Sequence, residues 1–234
     1  MNTRALVVAK APVAGRVKTR LGVTVGDAVA AELAAAALLD TLAACRDGFG
    51  PGDCLLALAG DLADAVRGDE IARAVDGWWV APQRGITFAQ RLANAHLDVP
   101  PGGPVVQVGM DTPQVTPGLL RGVAEALTGH DAVLGPAEDG GWWVLGLRRP
   151  AAATALHDVP MSTPTTYDAT REALARAGLG VAVAATLRDV DDAGAVRCHD
   201  ADASVVETGD PHARASLVVR SRTLGQPLRR QSRS

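Results

Sequence analysis

The sequence has few cysteines and no long uncharged apolar run, and each shortage excludes a class of protein. Its three cysteines, Cys45, Cys54 and Cys198, are odd in number and too far apart for a disulfide framework or a Cys-x-x-Cys zinc site. No uncharged stretch approaches the ~18 residues of a membrane span, and the apolar run after Arg4 ends at Lys10, too short for a signal peptide. We therefore expect a cytoplasmic protein without a membrane partner.

Positive charge is also scarce over most of the chain. The formal net charge is -3 over 234 residues, and an acidic protein is poorly suited to nucleic-acid binding, which needs many cations that neutralise phosphates. The last fifteen residues differ, because they hold five arginines and no acid. We predict that residues 220–234 form a disordered basic tail rather than a polyanion-binding arm, and that residues 1–219 form a single domain.

Short apolar segments alternate with helical ones along the chain. Strands are predicted at 5–9, 54–59, 78–81, 105–109, 132–135, 142–147 and 181–185. Helices are predicted at 27–45, 62–75, 87–97, 116–127 and 163–177, with a long loop at 10–25. Thr116 and Thr163 each precede a proline, the pattern of an N-cap followed by the first helical residue. Strands that alternate with helices indicate an α/β fold, a Rossmann-like three-layer sandwich with a mostly parallel sheet.

The loop after the first strand is rich in cations, and ligands of such sheets bind beyond the carboxyl ends of the strands. Lys10, Arg16, Lys18 and Arg20 lie within eleven residues, around Gly15. Ammonium and guanidinium groups bind phosphate oxygens, and glycine lets a backbone approach a ligand closely. The chain has no lysine besides Lys10 and Lys18. We interpret this loop as a phosphate-binding site; the alternative is a solvated basic loop.

Carboxylates follow two later strands. Asp111 comes directly after the fourth strand, and Asp189 and Asp191 follow the last one on the same side of an extended segment. A carboxylate opposite a phosphate-binding loop is well placed to hold Mg²⁺ or Mn²⁺ through its oxygens, and Asp191 could provide a second ligand. The alternatives are an ordinary turn at Asp111 and solvated or helix-capping acids after the last strand.

A glycine-rich bend between two strands carries one more carboxylate and a tryptophan pair. Asp139 precedes Gly140 and Gly141, and Asp-Gly is a common hairpin turn, so Asp139 also has a purely structural explanation. The two glycines leave room for a ligand against the backbone. Alternation along a strand sends Trp142 and Trp143 to opposite faces, so one ring could stack on a base or sugar; core packing of both is the alternative.

Taken in order, these motifs resemble a bacterial family of glycosyltransferase-like proteins, also called selenodomain-associated transferases. The matching segments are 10–21, 83–95, 109–113, 135–141 and 189–191. That family belongs to the nucleotide-diphospho-sugar transferase superfamily with the glycosyltransferase-A fold, and is similar to molybdenum-cofactor and 2-phospholactate guanylyltransferases. The chain departs from the pattern at Trp142, where a tyrosine is expected, and at 86–88, where Gly, Asp and Leu are expected.

The resemblance implies a nucleotide in the cleft and assigns roles to the candidate residues. The nucleotide-binding set is Lys10, Gly15, Arg16, Lys18, Arg20 and Gln83, and the substrate-binding set is Asp139, Gly140, Gly141 and Trp142. Lys18 and Asp111 are the implied catalytic residues, and Asp111 and Asp191 the implied ligands of Mg²⁺ or Mn²⁺. The partners would be a nucleoside triphosphate or a sugar nucleotide, together with a small-molecule acceptor.

Two reactions run on this fold, and both remain open. In nucleotidyl transfer a phosphorylated acceptor attacks the α-phosphorus of a nucleoside triphosphate, which four loop cations favour. In glycosyl transfer an acceptor attacks the anomeric carbon of a sugar nucleotide, which the family description favours. Because no Ser or Cys in the matched loops lies beside a plausible base, we expect direct attack without a covalent intermediate. The alternative to an enzyme is an inactive nucleotide-binding or scaffold protein.

Overall fold

A seven-stranded sheet forms the centre of the protein. The computed structural model describes residues 2–112 and 114–187, together with the backbone of 201–206 and 216–221. The strands of the sheet are β1 (Arg4–Lys10), β2 (Cys54–Ala59), β3 (Trp79–Pro82), β4 (Val105–Gly109), β5 (Ala132–Pro136), β6 (Trp142–Leu147) and β7 (Val181–Val183). Their order is β3-β2-β1-β4-β6-β5-β7, and β6 alone among them runs antiparallel to both neighbours. The predicted mostly parallel sheet is confirmed.

Helices connect the strands and cover the sheet. They are α1 (Thr19–Val25), α2 (Asp27–Phe49), α3 (Gly68–Ala74), α4 (Phe88–Leu97), α5 (Pro117–Ala126) and α6 (Thr166–Arg176), with 3-10 segments at Pro51–Asp53, Leu62–Asp64 and Pro150–Leu156. Two further strands, β8 (Ala201–Val206) and β9 (Ser216–Ser221), pair antiparallel with each other. β9 includes the first two residues of the predicted basic tail, and 222–234 lie outside the described residues.

The sheet has a hydrophobic cluster on each face. Ala5 and Val7 of β1 belong to one cluster, while Leu6 and Val8 belong to the other, because successive side chains of a strand point to opposite faces. The first cluster includes buried residues of α2, α3 and α5, and the second includes those of α4, α6 and the 3-10 segment at 150–156. Helices therefore lie on both faces, as the predicted three-layer sandwich requires.

The apolar helix α2 is the central helix of the first face. By length and hydropathy its 23 residues would also qualify as a membrane span, and half of its apolar window is buried inside the protein. Ala34, Leu38 and Leu42 are among its buried residues and pack in the same cluster as Val7. Its apolar composition is thus explained by packing against the sheet.

Two helices begin at threonine N-caps: Thr116 was predicted as an N-cap, whereas Thr87 was predicted as the first residue of its helix. The hydroxyl of Thr116 accepts a hydrogen bond from the N–H of Leu119 at the start of α5, and Thr87 caps α4 in the same way with Gln90. Satisfying these free N–H groups fixes where each helix begins.

Three predictions of helical structure are wrong. The predicted helix 62–75 is instead a 3-10 segment at Leu62–Asp64 followed by the shorter α3, Gly68–Ala74. The predicted loop 10–25 contains α1, which Lys18 opens from a left-handed conformation with φ 43°. The predicted start at Thr163 is also wrong, because α6 begins at Thr166. The Thr166 hydroxyl accepts a hydrogen bond from the N–H of Thr163 and donates one to the carbonyl of Pro160, which holds residues 160–163 in a turn outside the helix.

Candidate active site

The carboxyl ends of β1 and β4 bring the cationic loop beside Asp111. The two strands pair in parallel, with Val8 opposite Gly109. The backbone N–H of Lys10 donates to the sulfur of Met110 over 3.3 Å, although these residues are 100 positions apart in sequence. The cationic loop after β1 and Asp111 after β4 therefore lie together at the carboxyl edge of the sheet.

An ion pair joins the two motifs. The Nζ of Lys18 lies 3.1 Å from Oδ1 of Asp111; the Lys18 side chain is 8% exposed and that of Asp111 is 48% exposed. Lys18 also has the left-handed backbone conformation, which costs about 1–2 kcal/mol for a residue other than glycine. Lys18 thus has both a buried side chain and a strained backbone, while the carboxylate of Asp111 remains accessible to a ligand.

The other cations of the loop are exposed, and one of them shapes the loop. The Nζ of Lys10 donates to the carbonyl oxygen of Arg16 over 2.8 Å, which closes the loop on itself. The side chains of Arg16 and Arg20 are exposed. Gly15 has φ 73°, and a Cβ there would lie 3.3 Å from a carboxylate oxygen of Asp27 at the start of α2. The loop presents its guanidinium groups to solvent at the carboxyl edge of the sheet.

Gln83 lies at the same edge, directly after β3. Its Nε2 donates to the carbonyl oxygen of Ala9 over 2.8 Å and to that of Ala57 over 3.0 Å. Both N–H bonds of the amide therefore hold the ends of β1 and β2 together. The group that Gln83 can offer a ligand is its carbonyl oxygen, an acceptor.

A cavity of about 250 Å³ opens beside Asp111 on the second face of the sheet. Four residues singled out from the sequence line it: Asp111, Asp139, Gly141 and Trp142. The lining also includes residues that sequence reasoning missed: Phe88, Leu92, Gln107, Met161, Ser162 and Thr163. Most of these belong to α4 or to the turn before α6, segments whose sequence signals only a helix or a turn.

The glycine-rich bend is held by the protein's own contacts. Oδ1 of Asp139 accepts a hydrogen bond from the N–H of Gly141 over 2.8 Å. Gly140 has φ 87°, and a Cβ there would overlap the carbonyl oxygen of Pro164; the carbonyl of Gly140 accepts from the N–H of Tyr167. Packing against the start of α6 therefore explains Gly140, and its role in substrate binding stays a prediction.

The paired tryptophans of β6 point to opposite faces, as alternation predicts. Trp143 is buried in the first cluster and its Nε1 donates to the carbonyl of Ala185 over 2.8 Å. Trp142 is half-buried in the wall of the cavity, and its Nε1 donates to the hydroxyl of Thr170 over 3.1 Å. Trp142 is thus held in place by α6 with part of its ring toward the cavity.

Gln107 lines the cavity but was not among the predicted site residues, although the sequence shows that it is unusual. It is the polar residue within the apolar strand β4, and it is 1% exposed. A buried amide needs a partner, and its Oε1 lies 2.8 Å from Nε2 of His96 on α4, a residue that is fully buried. Burial lowers the pKa of His96 to about 4, so its ring is neutral near pH 7.

The carboxylates at this edge are suited to a divalent cation. Asp111 and Asp139 line the same cavity, whereas Asp191, the other predicted metal ligand, lies outside the described residues. Within 2–112 and 114–187 no group of three ligating side chains comes together. Mg²⁺ is commonly held by one or two carboxylates, with substrate phosphates and water as the remaining ligands. The half-exposed Asp111 beside a cationic loop fits that arrangement.

Residues 41–163 match the model of a family described as an uncharacterized protein conserved in bacteria, DUF2064. No curated protein matches the chain.

Among solved structures, the chain is similar to a candidate nucleotide-diphospho-sugar transferase from Desulfovibrio desulfuricans G20. The TM-score is 0.72 at 27% identity, over 82% of this chain and 83% of that chain. This likeness confirms the fold and supports the predicted superfamily, while the resemblance to guanylyltransferases stays a prediction.

Two further likenesses are more distant and carry no argument about this chain. The manganese complex of Rv0371c from Mycobacterium tuberculosis H37Rv is 18% identical, with a TM-score of 0.47 over 80% of this chain and 89% of that chain. The 4-diphosphocytidyl-2C-methyl-D-erythritol synthase from Anaerococcus prevotii DSM 20548 is 10% identical, with a TM-score of 0.49 over 80% of this chain and 90% of that chain. At these values neither likeness bears on the metal or substrate of this chain.

Proposed function

The chain belongs to the DUF2064 family, and we propose that it is a metal-dependent transferase that uses an activated nucleotide. The observation that carries this proposal is the ion pair between the buried Lys18 and the half-exposed Asp111, 3.1 Å apart at the carboxyl edge of the sheet. Phosphates need cations, and a divalent cation needs a carboxylate beside those phosphates. Both requirements meet at this pair.

We assign the loop after β1 to the phosphates of the donor. Lys18 is held in one place by burial and by its partner, so its charge is already oriented before a ligand arrives. Arg16 and Arg20 are exposed and can each grip phosphate oxygens through two N–H bonds. These cations would stabilise charge on the leaving group, either pyrophosphate or a nucleoside diphosphate.

Asp111 lies between two parts of the site. Lys10 and Gln83 are on one side of it, at the ends of β1 and β3, and the cavity with Trp142 is on the other side. We propose that the nucleotide lies over β1 to β3, and that the cavity receives the group that it transfers or reacts with: the sugar in glycosyl transfer, the acceptor in nucleotidyl transfer. A divalent cation held by Asp111, with Asp139 in the same cavity and Asp191 as the predicted further ligand, would supply positive charge to the phosphates.

A direct attack, without a covalent enzyme intermediate, agrees with the side chains present. Ser162 lines the cavity, but the described lining residues include no histidine, the usual base that activates a serine. Cys45 and Cys54 are buried, and burial raises the pKa of both thiols, that of Cys54 to about 12. Neither thiol is ionised near neutral pH, so neither is suited to nucleophilic attack.

A thermal-shift screen tests the proposal. Nucleoside triphosphates and sugar nucleotides are added with Mg²⁺ or Mn²⁺, and a true ligand raises the melting temperature because it binds the native state. Positive nucleotides are then incubated with an acceptor panel: pyrophosphate release indicates nucleotidyl transfer, and release of a nucleoside diphosphate indicates glycosyl transfer. If no nucleotide raises the melting temperature in the presence of either metal, the proposal is wrong.

A further inference from the structure

The floor of the cavity carries a polar side chain from the middle of the sheet. Gln107 belongs to β4 and lines the cavity together with Asp111 and Trp142, yet it is 1% exposed. Its neighbours in the strand, Val106 and Val108, point to the opposite cluster. A polar amide at this depth must have hydrogen-bond partners for both of its ends.

The oxygen end of this amide is held by His96. Nε2 of the ring lies 2.8 Å from Oε1 of Gln107, and Nδ1 is buried without a partner among the described residues. A neutral imidazole carries one N–H and one lone pair. If Nδ1 carried the proton, a buried N–H would lack an acceptor, which is less favourable than a buried lone pair without a donor. The proton therefore belongs on Nε2, which donates to the Gln107 oxygen.

This hydrogen bond sets the direction of the other end of the amide. The amide group is planar, so with Oε1 held against His96 the two N–H bonds of Nε2 point away from the ring. Because Gln107 lines the cavity, these N–H bonds are the donor that it can present there. Ser162 and Thr163 add hydroxyl groups to the lining, and Asp111 and Asp139 add carboxylates.

The charge of the lining limits what this donor can meet. No Lys or Arg is among the described residues that line the cavity, and its two charged groups are carboxylates. A phosphate or carboxylate group bound in the cavity would face the carboxylates of Asp111 and Asp139, of which only Asp111 has a cation, Lys18, paired with it among the described residues. An uncharged group rich in hydroxyls can instead accept from the amide and donate to the carboxylates.

We propose that Gln107 is a specificity-determining residue that donates to an uncharged oxygen of the group bound beside Asp111, and that His96 is its positioning residue. The inference rests on the proposed function, because it takes the reacting end of the bound group to lie at Asp111. It adds that the protein selects its substrate by an uncharged part of that substrate. The direction of the buried Gln107 amide determines which groups can bind there.

The tautomer of His96 can be measured without any substrate. Protein labelled with ¹⁵N-histidine is examined by long-range ¹H–¹⁵N spectra near pH 7, and the His96 signal is assigned from the spectrum of His96→Asn. We expect the proton on Nε2. A proton on Nδ1 would reverse the amide of Gln107 and overturn the positioning role.

Selectivity is tested with ligands that differ in one charge. Binding of UDP, UDP-glucose and UDP-glucuronate, and of GDP and GDP-mannose, is measured by calorimetry with Mn²⁺. Wild-type protein should bind at least one of the two neutral sugar esters more tightly than its diphosphate, and UDP-glucuronate no more tightly than UDP. Gln107→Glu, which keeps an acceptor toward His96 but removes the donor, should weaken binding of the neutral ester about 3- to 10-fold and leave the diphosphate unchanged.

A matched substitution controls for the added charge. Gln90→Glu makes the same change at a partly exposed position, where Oε1 accepts from the N–H groups of Ile86 and Thr87 and a carboxylate can do the same. It should leave every affinity unchanged. Gln107→Met gives a second test that adds no charge, and melting temperatures confirm that each variant is folded.

The outcomes separate this inference from the proposed function. If no nucleotide or sugar nucleotide binds, the proposed function fails and the inference fails with it. If the diphosphates bind but glucuronate is accepted as well as glucose, or Gln107→Glu and Gln107→Met leave the neutral ester unaffected, the inference alone is overturned.

Discussion

The loop after β1 and the cavity beyond β4 border the same carboxylate, yet they are built in opposite ways. The loop is cationic, three of its four cations are exposed, and all four lie within eleven consecutive positions. The cavity has no cation among its described lining residues, and strands, helices and turns that are far apart in sequence contribute to it. In the proposed function and the further inference, one half of the site binds charge that any nucleotide phosphate carries, and the other half binds an uncharged group that only some substrates have.

The largest expected effect is at the residue shared by both halves. Asp111→Asn should lower metal-dependent turnover by about two to three orders of magnitude, since a neutral amide is a poor ligand for a hard cation and charge stabilisation is lost. Stability should fall by no more than about 1 kcal/mol, because Asp111 is half exposed. Steady-state kinetics and urea unfolding measure the two effects. Asp76→Asn, at an exposed position after α3, is the matched control, and retention of most activity by Asp111→Asn would remove Asp111 from the site.

Gly140→Ala tests whether the bend at the cavity serves packing or ligand. A Cβ would overlap the carbonyl oxygen of Pro164, and φ is 87°. Combining left-handed strain with overpacking, we expect a loss of about 3–4 kcal/mol in the free energy of unfolding. Chemical denaturation gives this value, and calorimetry on the folded protein should show unchanged nucleotide affinity. Normal stability with lost binding would instead assign the glycine to the ligand.

The buried half of the site should also make stability depend on pH. The pKa of His96 falls from 6.5 to about 4 because burial disfavours the charged ring. Between these values the unfolded chain holds a proton that the native protein does not, so the free energy of unfolding decreases as pH falls through this window. The contribution of His96 is about 3 kcal/mol and is complete above pH 6.5.

Urea titrations at pH 7 and pH 4.5 measure this dependence. His96→Asn should be less sensitive to the change in pH than the wild type, whereas His157→Asn, at an exposed position, should behave like the wild type. An equal loss of stability in His96→Asn and the wild type would mean that the buried ring does not take up a proton on unfolding.

The cationic loop should respond least to substitution. Lys18→Met keeps the apolar stem of the side chain and removes its charge; it should weaken nucleotide binding by about 1.5–3 kcal/mol, the range for a hydrogen bond to a charged group. Lys10→Ala should act in the same direction. Calorimetric titration measures both, with Arg176→Met at the exposed end of α6 as the control. Unchanged affinity in both loop variants would reduce the loop to a solvated surface.

Sequence reasoning succeeded where one local signal decides the outcome. The buried run of β4 was predicted with its observed bounds, and Thr116 caps α5 as expected. The adjacency of Lys18 and Asp111 was also predictable, because parallel strands place their carboxyl ends at one edge of a sheet. It failed at α1 and at the start of α6, where a left-handed residue and a threonine hydrogen bond override local preference.

Apolar runs and clustered charges act over a few residues, so the strands, the cationic loop and the carboxylate after β4 could be predicted from local sequence. The antiparallel position of β6 between β4 and β5, and the contact of His96 on α4 with Gln107, depend on long-range packing. A buried amide acquires its direction from the partner that long-range packing supplies, and nothing within β4 encodes that partner. The charge of the site can therefore be predicted from short segments of sequence, whereas the direction of the buried Gln107 amide depends on the whole fold.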